Sequence, residues 1–132
     1  MKTALLLAYL AMAASSFAAE DEVPALVALL NGTRVVAQDA NRTFLGNISG
    51  PRDSDSIFNE QGTYGNERSA ESIWNPHGTF RNERNAFSPF NGRSTAPPMI
   101  LKGGTVVGHL TTNPDIDGGV SPHRLKSLQD RF

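Results

Sequence analysis

The sequence predicts a small, mainly β protein in which two hairpins flank a short array of 16-residue repeats and a short helix ends the chain. Three observations carry this prediction: a tandem repeat over residues 56–94, strand-like segments on both sides of it, and a helix-capping pattern near the C-terminus. Repetition at a fixed period is typical of arrayed architectures, which form surfaces more often than active sites.

The first 18 residues have the composition of a secretory signal peptide. Lys2 supplies the positive start, residues 5–14 are apolar, and Ser16-Phe17-Ala18 matches a small-x-small cleavage site. The alternative, a membrane anchor, needs about 18 or more apolar residues in a row, which is longer than the apolar run over residues 5–14. We therefore expect a single mature domain over residues 19–132, with no integral membrane span, that is periplasmic or secreted.

The composition restricts the class of protein further. The chain of 132 residues has a net charge of −1 and no cysteine. A balanced charge provides no general attraction to nucleic acid, so we expect no nucleic-acid partner. The lack of cysteine is ordinary for a protein of the bacterial periplasm. Two repeats and a partial third are few for a free-standing solenoid, so a homo-oligomer remains open.

The region before the repeat predicts a hairpin within residues 25–48. An apolar run over residues 25–30 is followed by Asn31-Gly32, a dipeptide that favours a two-residue hairpin turn. Residues 43–48 then predict a further strand. The alternative for the first segment is a short helix that begins at Pro24 and ends at Gly32.

The repeat begins at Ser56 and again at Ser72, and the two copies are identical at 9 of 16 positions. A third copy begins at Ser88 and stops. An Asn-x-x-Gly motif in each copy predicts one tight turn per unit. Stacked units would bring equivalent apolar residues together, which predicts the pairs Ile57 with Ile73, Phe58 with Trp74, and Tyr64 with Phe80.

A second hairpin is predicted after the repeat, over residues 99–110, with its turn at Lys102-Gly103-Gly104. Residues 43–55 and 105–117 match at an offset of 62 residues, so we expect related units to cap the two ends of the array. Residues 121–132 predict a short helix, because Ser121 can cap it and a proline follows.

Two acidic loops are the strongest candidate metal site. They carry Asp53 and Asp55 before the repeat, and Asp115 and Asp117 after it. Alternating oxygen ligands on a tight loop suit calcium, which takes six to eight oxygens. The alternative is that these side chains bond their own backbone in Asx turns, so that no cofactor is held.

A candidate interaction face carries Arg68 and Arg84, which recur in Asn-Glu-Arg triplets, together with Trp74. Two guanidinium groups on one face would bind a carboxylate or a glycan through hydrogen bonds. The alternative is pairing of these arginines with glutamates of neighbouring units. No catalytic residue is predicted, because the three histidines are scattered and no Gly-x-Ser-x-Gly motif occurs.

The chain resembles small exported bacterial proteins of uncharacterised function, whose tandem units read approximately Asp-Ser-Ile-x-Asn-Pro-Tyr-Gly-x-Tyr-Gly. The matching stretches are residues 44–49, 55–65, 72–78 and 107–111. The chain departs from that pattern at Gln61 and His77, which replace a tyrosine, and at Arg81, which replaces a glycine. The resemblance implies an exported bacterial protein and supplies no activity or cofactor.

These features predict an exported structural or interaction protein of the bacterial envelope without catalytic activity. Its partner would be an envelope protein or a glycan. Two alternatives remain at this point: a calcium-stabilised binding module, and a minor periplasmic hydrolase.

Overall fold

The computed structural model describes residues 19–132, and the predicted signal peptide lies outside the described residues. The described chain is small and mainly β, with a five-stranded mixed sheet and a short C-terminal helix. Its elements are α1 (Ala19–Leu30), β1 (Thr33–Val36), β2 (Phe44–Ile48), β3 (Met99–Lys102), β4 (Thr105–Leu110), β5 (Gly119–Val120) and α2 (Pro122–Ser127), with 3-10 turns at Thr79–Arg81 and Gln129–Arg131.

The predicted first strand of the N-terminal hairpin is wrong, because residues 25–30 belong to helix α1. Leu26, Leu29 and Leu30 follow the helical spacing i, i+3, i+4 and pack against the core. Gly32 has a φ of 84° and follows the end of the helix, where a left-handed residue is favourable. The turn chemistry of Asn31-Gly32 is therefore used to stop a helix rather than to reverse a strand.

The five strands lie in the order β2-β1-β3-β4-β5. Neighbouring strands are antiparallel except β4 and β5, which are parallel. The strands before and after the repeat meet directly, since Val35 of β1 lies opposite Ile100 of β3. The segments on the two sides of the repeat therefore belong to one continuous sheet. The unit with β2 contacts the start of the repeat, where the Ile57 N–H donates to the Asn47 carbonyl, and the unit with β4 contacts its end, where the Thr112 N–H donates to the Pro89 carbonyl.

The segment between β2 and β3 is a succession of tight turns. In the first unit a backbone N–H at each corner donates to a carbonyl three residues earlier, with one four-residue step from Gly62 to Asn66. These corners are Ser56, Asn59, Gly62, Asn66 and Ser69, so steps of three, three, four, three and three residues make up the 16-residue period. The second unit has equivalent backbone bonds from Ser72, Asn75, Gly78 and Asn85, but there Arg81 rather than Asn82 donates to the Gly78 carbonyl.

Asparagine and serine side chains at the corners satisfy the backbone of this segment. A corner asparagine accepts the N–H two residues ahead through Oδ1 and donates Nδ2 to a carbonyl six residues behind; both bonds are made by Asn59, Asn75, Asn85 and Asn91. A corner serine accepts an N–H two residues ahead, as at Ser56, Ser72 and Ser88. These bonds replace the pairing that a strand or helix would supply.

The core joins the sheet to the turns. Ile57 and Ile73, at the same position of the two units, are fully buried with Val35, Ile100 and Leu110 of the strands. Helix α2 closes the core, as its capping pattern predicts: the Ser121 hydroxyl accepts the N–H of His123 at 3.2 Å, and Leu125 is fully buried.

Candidate functional site

A groove of about 510 Å³ opens on the surface of the repeat segment. Its lining residues are Glu67, Trp74, Pro76, Arg81, Asn82, Glu83 and Arg84. The first unit supplies Glu67, and the second unit supplies the rest. Its volume lies within the range of small-ligand sites, roughly 300–1,000 Å³.

Turn geometry positions the charged residues of this groove. Asn66 and Asn82 each accept, through Oδ1, the N–H of the arginine two residues ahead, at 2.9 Å. Both Asn-Glu-Arg triplets are therefore Asx turns, a conformation that asparagine stabilises locally. Glu67, Glu83 and Arg84 are exposed at these turns.

Arg81 enters the groove through a departure from the repeat. The equivalent residue of the first unit is Gly65, where a side chain would overlap the backbone of Asn59. In the second unit the chain forms a 3-10 turn instead, and Arg81 donates its N–H to the Gly78 carbonyl at 3.2 Å. The change of turn makes room for a long side chain.

Arg81 and Trp74 are both held in place by aromatic contacts. The Arg81 guanidinium carbon lies 4.0 Å from the centre of the Phe90 ring, and Phe90 meets Trp74 edge-on at 6.2 Å between ring centres. The indole N–H of Trp74 donates to the Ile57 carbonyl at 2.6 Å. Stacking on a ring orients a guanidinium while its N–H groups remain able to donate at the edge.

Phe58, Trp74 and Phe90 occupy the same position of successive units, and we call them the aromatic row. The C-terminal segment lies along this row. The His123 ring centre is 5.3 Å from that of Phe90, and the Phe132 ring centre is 5.4 Å from that of Phe58. Between them, the Lys126 ammonium lies 4.9 Å from the centre of the Trp74 ring. Neither predicted aromatic pair is among the ring contacts of the described residues. Tyr64 meets Phe44 rather than Phe80, at 4.9 Å between ring centres, and Phe58 meets Phe132 rather than Trp74. The row is thus partly covered by the chain's own C-terminus.

The four charged side chains of the groove do not neutralise one another. Among the side chains of residues 22–132, the single ion pair joins Glu22 of α1 to Arg124 of α2, at 3.6 Å. Pairing of the repeat arginines with neighbouring glutamates, one of the sequence-based alternatives, is therefore not found.

Two of the three predicted interaction residues, Trp74 and Arg84, line the groove. Arg68 is exposed but is not among the lining residues. The predicted site did not include the other lining residues, which are Glu67, Pro76, Arg81, Asn82 and Glu83. The signal for Arg81 was its replacement of a repeat glycine, because a position that exchanges glycine for arginine must also change its backbone turn.

The first pair of predicted metal ligands follows β2, where Asp53 acts as a turn former. Its carboxylate accepts the Asp55 N–H at 3.0 Å, the Ser49 hydroxyl at 2.7 Å and the Asn47 amide at 3.1 Å. These three hydrogen bonds, with the backbone bond from Asp55 strongest, lower the pKa of Asp53 below its usual 3.8. The Asx-turn interpretation thus accounts for Asp53.

The second pair, Asp115 and Asp117, lies between β4 and β5. Strand β2 ends beside Thr33, the first residue of β1. Strand β4 ends beside Met99, which pairs with Val36, the last residue of β1. The two strands therefore end at opposite ends of the sheet. The two acidic loops, which follow β2 and β4, therefore begin at opposite ends of the sheet, and β1 and β3 lie between the two strands. Across residues 19–132 no cluster of three or more His, Cys, Asp or Glu residues is arranged to hold a metal ion.

His109 of β4 is a partly buried histidine outside the groove. Burial lowers the pKa of His109 below 6.5, and the backbone of Asp117 offsets only part of that effect. The side chain lies between β4 and the second acidic loop, away from the groove lining.

Comparison with models of known protein families, with curated protein sequences and with solved structures finds no match. The resemblance to exported bacterial repeat proteins therefore stays a prediction. No helix within residues 19–132 combines the length and the apolarity that crossing a bilayer would require.

Proposed function

We propose that this chain is an exported interaction protein of the bacterial envelope, without catalytic activity, that binds a carboxylate-bearing ligand in the groove. The observation that carries the proposal is the pair Arg81 and Arg84, two guanidinium groups that line one groove and form no ion pair with any described residue. Arginine binds carboxylates in a bidentate manner, and a prepositioned guanidinium loses less entropy on binding.

Trp74 and Pro76 supply the apolar part of the site. An aromatic ring beside two cations is an arrangement that suits ligands with both an apolar body and an acid group. The position of the groove between two units also explains why a repeat is useful, because neighbouring turns provide both walls.

Trp74 is the only tryptophan of the chain, so its fluorescence reports directly on the groove. We would titrate the chain from residue 19 with trialanine and with trigalacturonate, two small carboxylates of different class. The test variant is Arg81→Gln with Arg84→Gln. The matched control is Arg68→Gln with Arg93→Gln, which removes the same charge from exposed turns outside the groove.

The proposal predicts a saturable fluorescence change that the test variant loses and the control retains. Far-ultraviolet circular dichroism would verify that both variants are folded. Absence of any response to either probe, or an equal loss in both variants, would refute binding in the groove.

The calcium-stabilised module is the weaker alternative, because its four aspartates belong to two loops at opposite ends of the sheet. Thermal unfolding in excess calcium and then in chelator distinguishes the two ideas. A rise of several degrees with calcium would revive this alternative, since a ligand of the folded state stabilises it by mass action.

A further inference from the structure

The groove carries acidic side chains as well as basic ones. Glu67 and Glu83 line the same cavity as Arg81 and Arg84, and none of the four forms an ion pair with another described residue. A site for a simple anion would gain nothing from two carboxylates, because they weaken its attraction for negative charge.

We propose that the ligand is a short peptide that carries both a free ammonium group and a free carboxylate. This proposal rests on the proposed function and specifies the ligand class of the same site. Arg81 and Arg84 bind the carboxylate, and Glu67 and Glu83 bind the ammonium group. The peptide backbone and apolar side chains lie against Trp74 and Pro76.

The two kinds of charge are held differently, which favours this assignment. The Arg81 guanidinium carbon lies 4.0 Å from the centre of the Phe90 ring, and this stacking orients the guanidinium. Glu67 and Glu83 are exposed residues in the middle of Asx turns of different units. Exposed carboxylates from two units can both accept hydrogen bonds from an ammonium group, which donates in three directions, whereas the planar guanidinium matches the two oxygens of a carboxylate.

An acidic glycan is the competing ligand class, and it lacks the ammonium group. Uronic acid residues would use the arginines and the Trp74 ring but would bring negative charge close to Glu67 and Glu83. The mixed charge of the groove therefore discriminates between the two classes by repulsion as well as attraction.

The experiment compares four probes by Trp74 fluorescence: trialanine, N-acetyl-trialanine, trialanine amide and trigalacturonate. An exposed ionic contact is worth up to about 1 kcal/mol, so blocking either end of trialanine is expected to weaken binding by about fivefold. Trialanine is expected to bind more tightly than trigalacturonate.

A charge-removal variant assigns the ammonium contact. Glu67→Gln with Glu83→Gln is expected to weaken the binding of trialanine, which loses its ammonium contacts. The same variant is expected to bind N-acetyl-trialanine at least as tightly as the original chain, because two charges that repel its carboxylate are removed. The control is Glu60→Gln with Glu71→Gln, which changes two exposed acids of the first unit that do not line the groove. This control is expected to bind trialanine like the original chain.

The outcomes separate the two proposals. Equal binding of trialanine and N-acetyl-trialanine, or tighter binding of trigalacturonate, would overturn the peptide assignment and leave a carboxylate site standing. No response to any of the four probes would overturn both.

Discussion

The asparagine corners of the repeat give the sharpest test of how this chain is held together. Asn75 and Asn82 belong to the same unit, yet they differ in their hydrogen bonds. Asn75 accepts the His77 N–H at 2.9 Å and donates Nδ2 to the Ser69 carbonyl at 3.0 Å. Asn82 accepts the Arg84 N–H at 2.9 Å, and no acceptor lies within hydrogen-bonding reach of its Nδ2 among the described residues.

Replacement by aspartate keeps the accepting oxygen and removes the donor. A net hydrogen bond contributes about 0.5–1.5 kcal/mol, and at position 75 the aspartate places a carboxylate oxygen against the Ser69 carbonyl, which still accepts the Ser72 N–H. Asn75→Asp is therefore expected to lower the free energy of unfolding by about 1–2 kcal/mol. Asn82→Asp is expected to change it by less than about 0.5 kcal/mol, as for an ordinary surface substitution.

Urea denaturation of the chain from residue 19, followed by Trp74 fluorescence and by circular dichroism, measures both variants. For a domain of about 100 residues, 1 kcal/mol corresponds to roughly 4 °C or more in the unfolding temperature, so a thermal scan provides a second reading. Equal stability of the two aspartate variants would refute the view that the Nδ2 bonds hold successive turns together.

Three further predictions concern the packing of the turns and strands. Phe132→Ala removes the contact of Phe132 with Phe58 and is expected to cost about 1–2 kcal/mol in urea denaturation, whereas an unchanged midpoint would show that the C-terminus does not hold the aromatic row. Gly46 has a φ of 114°, and a β-carbon there would lie 2.7 Å from Ile57 Cγ2, so Gly46→Ala is expected to cost more than about 2 kcal/mol. Gly32→Ala is its control, because Gly32 also has a positive φ but nothing within 4 Å of the added carbon; a loss as large as that of Gly46→Ala would contradict the packing argument. Burial lowers the pKa of His109 in the folded chain below 6.5, so between the lowered pKa and pH 6.5 the unfolded chain binds more protons than the folded chain. The free energy of unfolding is therefore expected to fall as the pH decreases through that interval. Urea midpoints at about pH 7.5 and 5.5 measure this effect, and His109→Gln is expected to show a smaller difference; an equal difference would exclude His109 as the cause.

The N-terminal segment shows how a local pattern misleads. Asn31-Gly32 between two apolar runs is a strong hairpin signal, but the same glycine also ends a helix. The spacing of Leu26, Leu29 and Leu30 indicates the helix. A short apolar run such as residues 25–30 also fits a buried strand, so the pattern alone did not decide between helix and strand.

The hydrogen bonds of the repeat were also partly readable. The Asn-x-x-Gly turn was visible in the sequence. The three-residue spacing of serine and asparagine is explained only by the structure, in which each of these side chains accepts the backbone N–H two residues ahead. Short polar side chains make such bonds in many local conformations, so their spacing alone does not fix the turn.

The sequence by itself determined the period of the repeat, the capped C-terminal helix with Ser121, and two of the residues that line the groove. These features depend on local spacing and on short-range hydrogen bonds, which neighbouring residues decide. Only the tertiary structure decided that β1 pairs with β3, that the two acidic loops lie at opposite ends of the sheet, and that Arg81 joins Arg84 beside Trp74. Contacts between residues far apart in the chain depend on how the whole core packs, and no local pattern specifies that arrangement.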